Sequence, residues 1–345
     1  MSKWSLLEHL TNSLERPRLG DKKPPNFWPS ESSAVITNDY GEEVAIGKCR
    51  RQIFLRYLYD CFDFYPEKYK HFQPLIDRIQ TDYVPPDKYL RWIWIQGELY
   101  EEYCVRQATL SGVHVASQVP AFYVSPHGWT LSGKIDEVVL NPTTILNSCV
   151  EYKSVYGFNG GIVLGTESER RRGLLGTPRE SNLMQVAFYD FQVGKKQEGF
   201  ENTRLCYGSR DTGKFAEYEI DVKQDESGEH FIHYSGLAPN TPGEVKSKIS
   251  MENIFSQFTY VLNSLDSGNV PGRDYDHTYT EEQVEKKYER GELNKTISKR
   301  VEKRLEQKKE GKKRINKLPD LGDFWCKNCS FRKICYDSSN NPIAL

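Results

Sequence analysis

The sequence predicts an α/β fold with a mixed central sheet flanked by helices. Three observations carry that expectation. Apolar residues recur at helical spacing over 47–110, then alternate over 113–153. The helical period returns at 181–193. Short alternating segments then follow near 202–208, 215–222 and 229–234, and a further helix spans 245–267.

The elements follow in order. Residues 1–35 read as an appendage with Trp4, Leu7 and Leu10 on one face of a short helix, and the segment DKKPPNFWP reads as a linker. Within 47–80, Phe54, Leu55, Leu58 and Tyr59 sit three and four apart, as on a buried helix face. Pro85 and Pro86 suit the start of a second helix over 87–110. VHVASQVPAFYV and WTLSGKIDEVVL read as strands joined at His127-Gly128, and Asn141-Pro142 ends the second. A third strand is expected at 146–153, and the Gly- and Arg-rich 154–180 reads as a long loop. Residues 280–317 are heavily charged and read as helical.

Composition bounds the function. A chain of 345 residues supports one large domain or two small ones, and 37% hydrophobic with 12% aromatic residues supplies a core. The net charge of −1 does not announce a polyanion partner, so any such site must be a local patch. No apolar run approaches the ~20 residues of a membrane helix, and the N-terminus does not read as a signal peptide. No membrane partner and a cytoplasmic location are the expectation. No GxxxxGK[ST] phosphate loop is present, so any motor would be a separate protein.

The sharpest chemical signal is Asp136 on one expected strand, with Glu151 and Lys153 two apart on the next. Residues two apart share a face of a strand. Pairing of the two strands would bring two carboxylates and an ammonium together. Such oxygen donors suit Mg²⁺ or Mn²⁺, which can activate a water against a phosphodiester. The lysine could orient that water or stabilise charge on the phosphate. Glu-x-Lys alone describes many surface strands, so the surrounding order matters. GELYEE (97–102) lies on the preceding helix. Gln185 and Tyr189 share a face of the following helix. Cys49 opens CRRQIFLRYL, and Cys326, Cys329 and Cys335 close the chain.

This ordered set resembles the RecB-like branch of the PD-(D/E)XK nucleases, and it is most similar to the iron–sulfur exonucleases of CRISPR adaptation and their viral relatives. The resemblance runs from about residue 45 to 336. It implies a restriction-endonuclease-like core and hydrolysis of DNA, with an exonuclease on single strands or frayed ends preferred. It implies Asp136 and Glu151 as metal ligands, with the Tyr152 carbonyl also facing the metal. Lys153 would be the catalytic lysine, and Gln185 and Tyr189 would brace the site or touch DNA. Glu101 stands where the family usually carries His, so metal preference is open, and Arg50 stands where Pro is common. The implied organisation is an appendage over 1–45, a nuclease core over 46–275, a charged helical insertion over 276–318 and a cysteine segment over 319–345. A non-catalytic or partner-dependent DNA-processing factor of the same fold is the rival, acting beside an integrase, helicase or recombination partner.

WCKNCSFRKIC packs three cysteines closely enough to read as metal ligands. Cys49, Cys61 and Cys104 are candidates for the fourth, and the resemblance selects Cys49. Ligand type alone does not separate zinc from a [4Fe–4S] cluster; the resemblance favours the cluster. Cys149 and Cys206, on expected strands, read as small buried hydrophobes. Two basic sets are candidate DNA contacts. Arg170, Arg171, Arg172 and Arg179 lie in the loop after the third strand. Residues 298–317 hold ten Lys and Arg against three Glu, including Lys308, Lys309, Lys312 and Lys313. Leu293, Ile297, Val301 and Leu305 give that segment one apolar stripe by which it could dock.

Overall fold

The computed structural model describes residues 25–194, 196–241, 243–311, 318 and 321–336. It is an α/β chain with a large mixed sheet and helices on both faces. A hairpin of β1 (Ser33–Thr37) and β2 (Glu43–Gly47) precedes α1 (Arg50–Phe64), α2 (Gln73–Asp82) and the long α3 (Lys88–Leu110). The central sheet is β3 (His114–Val124), β4 (Thr130–Leu140), β5 (Asn147–Val155), β6 (Thr203–Ser209), β7 (Phe215–Gln224), β8 (His230–Gly236) and β9 (Val245–Ser250), in that order. Every neighbouring pair is antiparallel except β5 and β6, which are parallel. A parallel pair requires a crossover. Here it runs through α4 (Gly157–Leu164), α5 (Glu167–Arg171) and α6 (Glu180–Tyr189).

Alternation along β5 shows which helix covers which face. The Tyr152 ring meets Tyr100 of α3, whereas Glu151 accepts a hydrogen bond from Gln185 of α6. Adjacent strand residues point to opposite faces, so α3 and α6 lie on opposite sides of the sheet. The core between sheet and helices is aromatic and aliphatic, with Phe54, Trp129, Phe188, Tyr207 and Phe258 fully buried.

Four parts of the chain depart from expectation, each for a local reason. Residues 25–47 do not stand apart from the core. Phe27 is fully buried, stacks on Tyr57 at 4.4 Å, and bonds to β4 through both its N–H and its carbonyl. Residues 1–24, including the expected helix face of Trp4, Leu7 and Leu10, lie outside the described residues. The expected loop over 154–180 contains α4 and α5. Thr166 and Glu169 form a capping box that starts α5, a signal masked by the Gly- and Arg-rich composition. VKSKIS over 245–250 is the edge strand β9, and the Ser250 side chain then caps α7 (Met251–Ser267).

The charged stretch from 280 is two helices, α8 (Glu281–Glu289) and α9 (Lys295–Lys309), separated at Gly291, whose φ is +70°. Val284 and Val301 are buried in this hairpin. It is tied to the β1–β2 turn by Glu42, which binds both Lys286 and Arg290. Of the chain's last described helices, α10 (Phe324–Lys327) and α11 (Arg332–Cys335), α11 docks against α2, whose Arg78 donates to the Ile334 carbonyl at 3.2 Å. Tyr83 and Phe331 pack edge to face, and the Val84 N–H donates to the Ser330 carbonyl at 2.8 Å.

Candidate metal centre and cysteine cavity

The antiparallel ladder between β4 and β5 ends at the pair Glu137 and Val150. Asp136 and Glu151 are the next residues on the two strands, just where pairing stops. Asp136 Oδ2 accepts the Tyr152 N–H at 2.8 Å. In a strand the N–H and C=O of one residue point the same way, so the Tyr152 carbonyl also faces this opening. Glu151 is almost fully buried. Its Oε1 accepts from Lys153 Nζ and from Gln185 Nε2, the latter at 2.6 Å. Its Oε2 is buried and has no hydrogen-bond partner among the described residues. Tyr189 braces the same corner, donating to the Lys134 carbonyl at 2.9 Å while receiving Gln185 Nε2 at 3.4 Å. A side chain at Gly133 would meet Pro29 Cγ at 2.8 Å and the Tyr189 oxygen at 2.9 Å. Glycine is therefore needed for β4 to pass beneath both.

The electrostatics follow from this crowding. Burial, the Glu151 charge and the Glu137 charge push the Asp136 carboxyl up to about 7, against the pull of Lys153 and the Tyr152 N–H. Burial also raises Glu151, opposed by Lys153. Glu101, on α3, is raised by burial and by the Asp136 charge, so it belongs to the same group. Gln118 of β3 donates to Glu101 at 2.6 Å.

Gln118 was not legible as a site residue. It sits at φ +54°, in the left-handed region, between the ladder pairs Ser117–Glu137 and Val119–Ile135. It therefore lies across from Asp136, and no glycine or turn pair in VASQVPA signals the irregularity. A second buried group is also new. Glu137 is fully buried and takes His114 Nδ1 at 2.7 Å and the Tyr152 hydroxyl at 2.5 Å on the opposite face of the sheet. These two partners satisfy a carboxylate that would otherwise be costly to bury.

Cys49, Cys326, Cys329 and Cys335 line one small cavity, with Leu55 and Phe331 among its walls. Cys49 is the N-cap residue of α1. Cys61 lies twelve residues further along α1, about 18 Å away at helical rise. Cys104 lines a different cavity, beside Tyr100 and Cys206. Burial raises Cys326 to about 11 and Cys329 to about 12. It also raises Cys335, opposed by Arg51. One buried nitrogen of the Arg51 guanidinium has no hydrogen-bond partner among the described residues. Arg50 latches its N–H and guanidinium onto Asp274. Among the described residues, no three His, Cys, Asp or Glu side chains are grouped as a ready metal-ion site.

The expected basic contacts are distributed differently. Arg179 caps α6, the helix of Gln185 and Tyr189, and its N–H donates to the Tyr207 hydroxyl. Arg170 folds back onto the Gly165 carbonyl, Arg172 onto the Ser168 carbonyl, and Arg171 pairs with Glu167 at 2.7 Å. Lys308 is paired with Glu281 and Glu285 of α8, so its charge is balanced within the hairpin. Lys309 is exposed, and Lys312 and Lys313 lie outside the described residues.

A comparison of the chain with protein-family models finds no match, and a comparison with curated proteins finds none either.

Proposed function

We propose that the protein is a metal-dependent DNA nuclease of the PD-(D/E)XK type. The observation that carries this reading is the meeting of Asp136, Glu151, Lys153 and Gln185 where β4 and β5 part, with Glu151 Oε2 buried and without a partner among the described residues. A buried acceptor without a donor is costly, and a cation beside it removes that cost. Asp136 and Glu151 are hard oxygen donors that fit Mg²⁺ or Mn²⁺, with the Tyr152 carbonyl and Glu101 at hand. A divalent ion held there would supply an activated water and neutralise charge on the phosphate.

The chain's own residues then have separate tasks. Lys153 is held by Glu151 and can donate to a non-bridging phosphate oxygen or orient the attacking water. Gln185 fixes the Glu151 rotamer from the other side, and Tyr189 fixes Gln185. The four cysteines fit a [4Fe–4S] cluster by donor type. Arg51, with a spare buried N–H donor, suits the negative charge of a thiolate-bound cluster. In that role the cluster ties the start of α1 to the last segment of the chain.

The test is cleavage of end-labelled single-stranded, duplex and frayed DNA with Mg²⁺ or Mn²⁺, and with EDTA as control. Metal-dependent cleavage abolished by EDTA is expected. Binding of DNA without cleavage of any substrate under either metal would overturn the nuclease reading in favour of a binding module.

A further inference from the structure

A further cavity, of about 480 Å³, opens between α1, α3 and the cysteine segment. Its walls include Trp28, Lys48, Gln52, Leu90, Trp94 and Trp325. Three indoles surround the cavity; the Arg56 guanidinium covers one face of Trp28 at 4.4 Å, so Trp94 and the second face of Trp325 are the ones left for a planar ring. Trp94 is about half exposed, so its face is open to a ligand. Lys48 Nζ lies 4.5 Å from the Trp325 ring centre. The Lys48 N–H donates to the Ser32 carbonyl at 3.2 Å, but among the described residues its ammonium forms no ion pair and no hydrogen bond. Gln52 presents a buried Oε1 that likewise has no donor among the described residues. Arg56 is not a second open cation, because Glu31 and Asp60 already take its guanidinium. The cavity thus combines aromatic faces with an ammonium held only by a ring and an acceptor without a donor among the described residues, the complement of a base and its phosphate.

The cavity also connects to the metal centre. Leu90, Trp94, Gly97 and Glu101 follow one another at helical spacing on one face of α3. Gly97 faces Ser154 of β5, the neighbour of Lys153. Seven residues of helix separate Trp94 from Glu101, about 10 Å. That is the length of roughly three stacked nucleotides at 3.4 Å each. Residues 28–31 form the opposite link, since Trp28 and Glu31 line the cavity while Pro29 abuts Gly133.

From this juxtaposition we infer that the cavity is a nucleotide subsite for an unpaired DNA strand, with Lys48 on a phosphate and Trp94 and Trp325 against a base, a few nucleotides from the metal centre. The inference rests on the nuclease reading for its placement, but not for its test. Binding of fluorescein-labelled oligo-dT is measured in EDTA, where no cleavage intervenes. Trp94→Ala and Lys48→Gln should each weaken binding about tenfold, and Trp94→Phe should restore most of it. Lys48→Gln should also flatten the logarithmic salt slope by about 0.7, the loss of one single-strand phosphate contact. Trp94 is half exposed, so its variants report even if Lys48→Gln folds poorly. Wild-type affinity in both Trp94→Ala and Lys48→Gln overturns the subsite. Binding of dTMP as tight as that of the oligomer overturns the strand assignment. Cleavage by the wild type with unaltered binding in the variants removes the subsite alone. Loss of binding in the variants without any wild-type cleavage removes the nuclease reading alone.

Discussion

The Tyr152 N–H holds Asp136 Oδ2 at 2.8 Å, so the strand that carries Glu151 also fixes the carboxylate that faces it. The two acids are placed by backbone, not by a loop. Side chains anchored this way keep their geometry when a neighbour is changed, which makes single substitutions at the centre informative.

Lys153→Ala is expected to lower metal-dependent cleavage at least about 100-fold while leaving DNA affinity within about twofold. The ammonium contacts Glu151 at the end of the sheet and does not fill the core. Single-turnover cleavage and a binding titration in EDTA separate the two effects. Cleavage within threefold of wild type would remove Lys153 from the catalytic group.

Asp136→Asn should stabilise the protein in EDTA at pH 8 by about 1–3 kcal/mol. Burial and the charges of Glu151, Glu137 and Glu101 act against the Asp136 carboxylate, with Lys153 and the Tyr152 N–H opposing them. Its folded value of about 7 lies above the ordinary value near 4. For an acid raised on folding, stability falls as pH rises from the unfolded value through the folded one. The gain from asparagine should therefore be greatest above pH 7 and vanish near pH 4. Denaturant titrations across that range check it. A pH-independent difference would assign the effect to packing.

Cys49→Ser should lose metal, whereas Cys61→Ser should keep it. Anaerobically purified wild type should be brown and hold about four irons per chain. Cys49 lies in the cavity with the three C-terminal thiols, and Cys61 is buried elsewhere on α1. Metal analysis and visible absorbance give the answer. Stoichiometric zinc without iron would keep the four-cysteine site and discard the cluster.

Gln118→Gly should leave stability unchanged or raise it by about 1 kcal/mol, because glycine accepts φ +54° without strain. The same change removes the hydrogen bond to Glu101. Mn²⁺ affinity, read by electron paramagnetic resonance, should fall several-fold, and Gln118→Asn should not fully restore it because the side chain is shorter. Unchanged Mn²⁺ affinity would make Gln118 a feature of the strand alone.

Lys308→Gln should weaken the α8–α9 hairpin only slightly, because a solvent-exposed ion pair contributes little, with little change in DNA affinity. Its ammonium already serves Glu281 and Glu285. Thermal unfolding together with the salt dependence of DNA binding would detect the opposite balance.

Local periodicity by itself determined the elements that frame the centre. The alternation of WTLSGKIDEVVL and LNSCVEYK marked β4 and β5, and the spacing of Glu151 with Lys153 and of Gln185 with Tyr189 put each pair on one face. Side-chain direction in a strand or helix depends only on the chain's own geometry, so it can be read without partners. The hidden parts all depend on segments far apart in sequence. Residues 25–47 enter the core because Phe27 finds Tyr57, Phe258 and an open stretch of β4. Lys308 loses its open charge to α8, a helix that a continuous charged run concealed. Gln118 turns to Glu101 only because the β3–β4 ladder is interrupted opposite Asp136. Burial of Glu151, an oxygen of it without a partner among the described residues, and the raised Asp136 follow from two strands and a helix closing on one point. No single strand or helix carries that information, because desolvation and charge coupling arise only when distant segments meet.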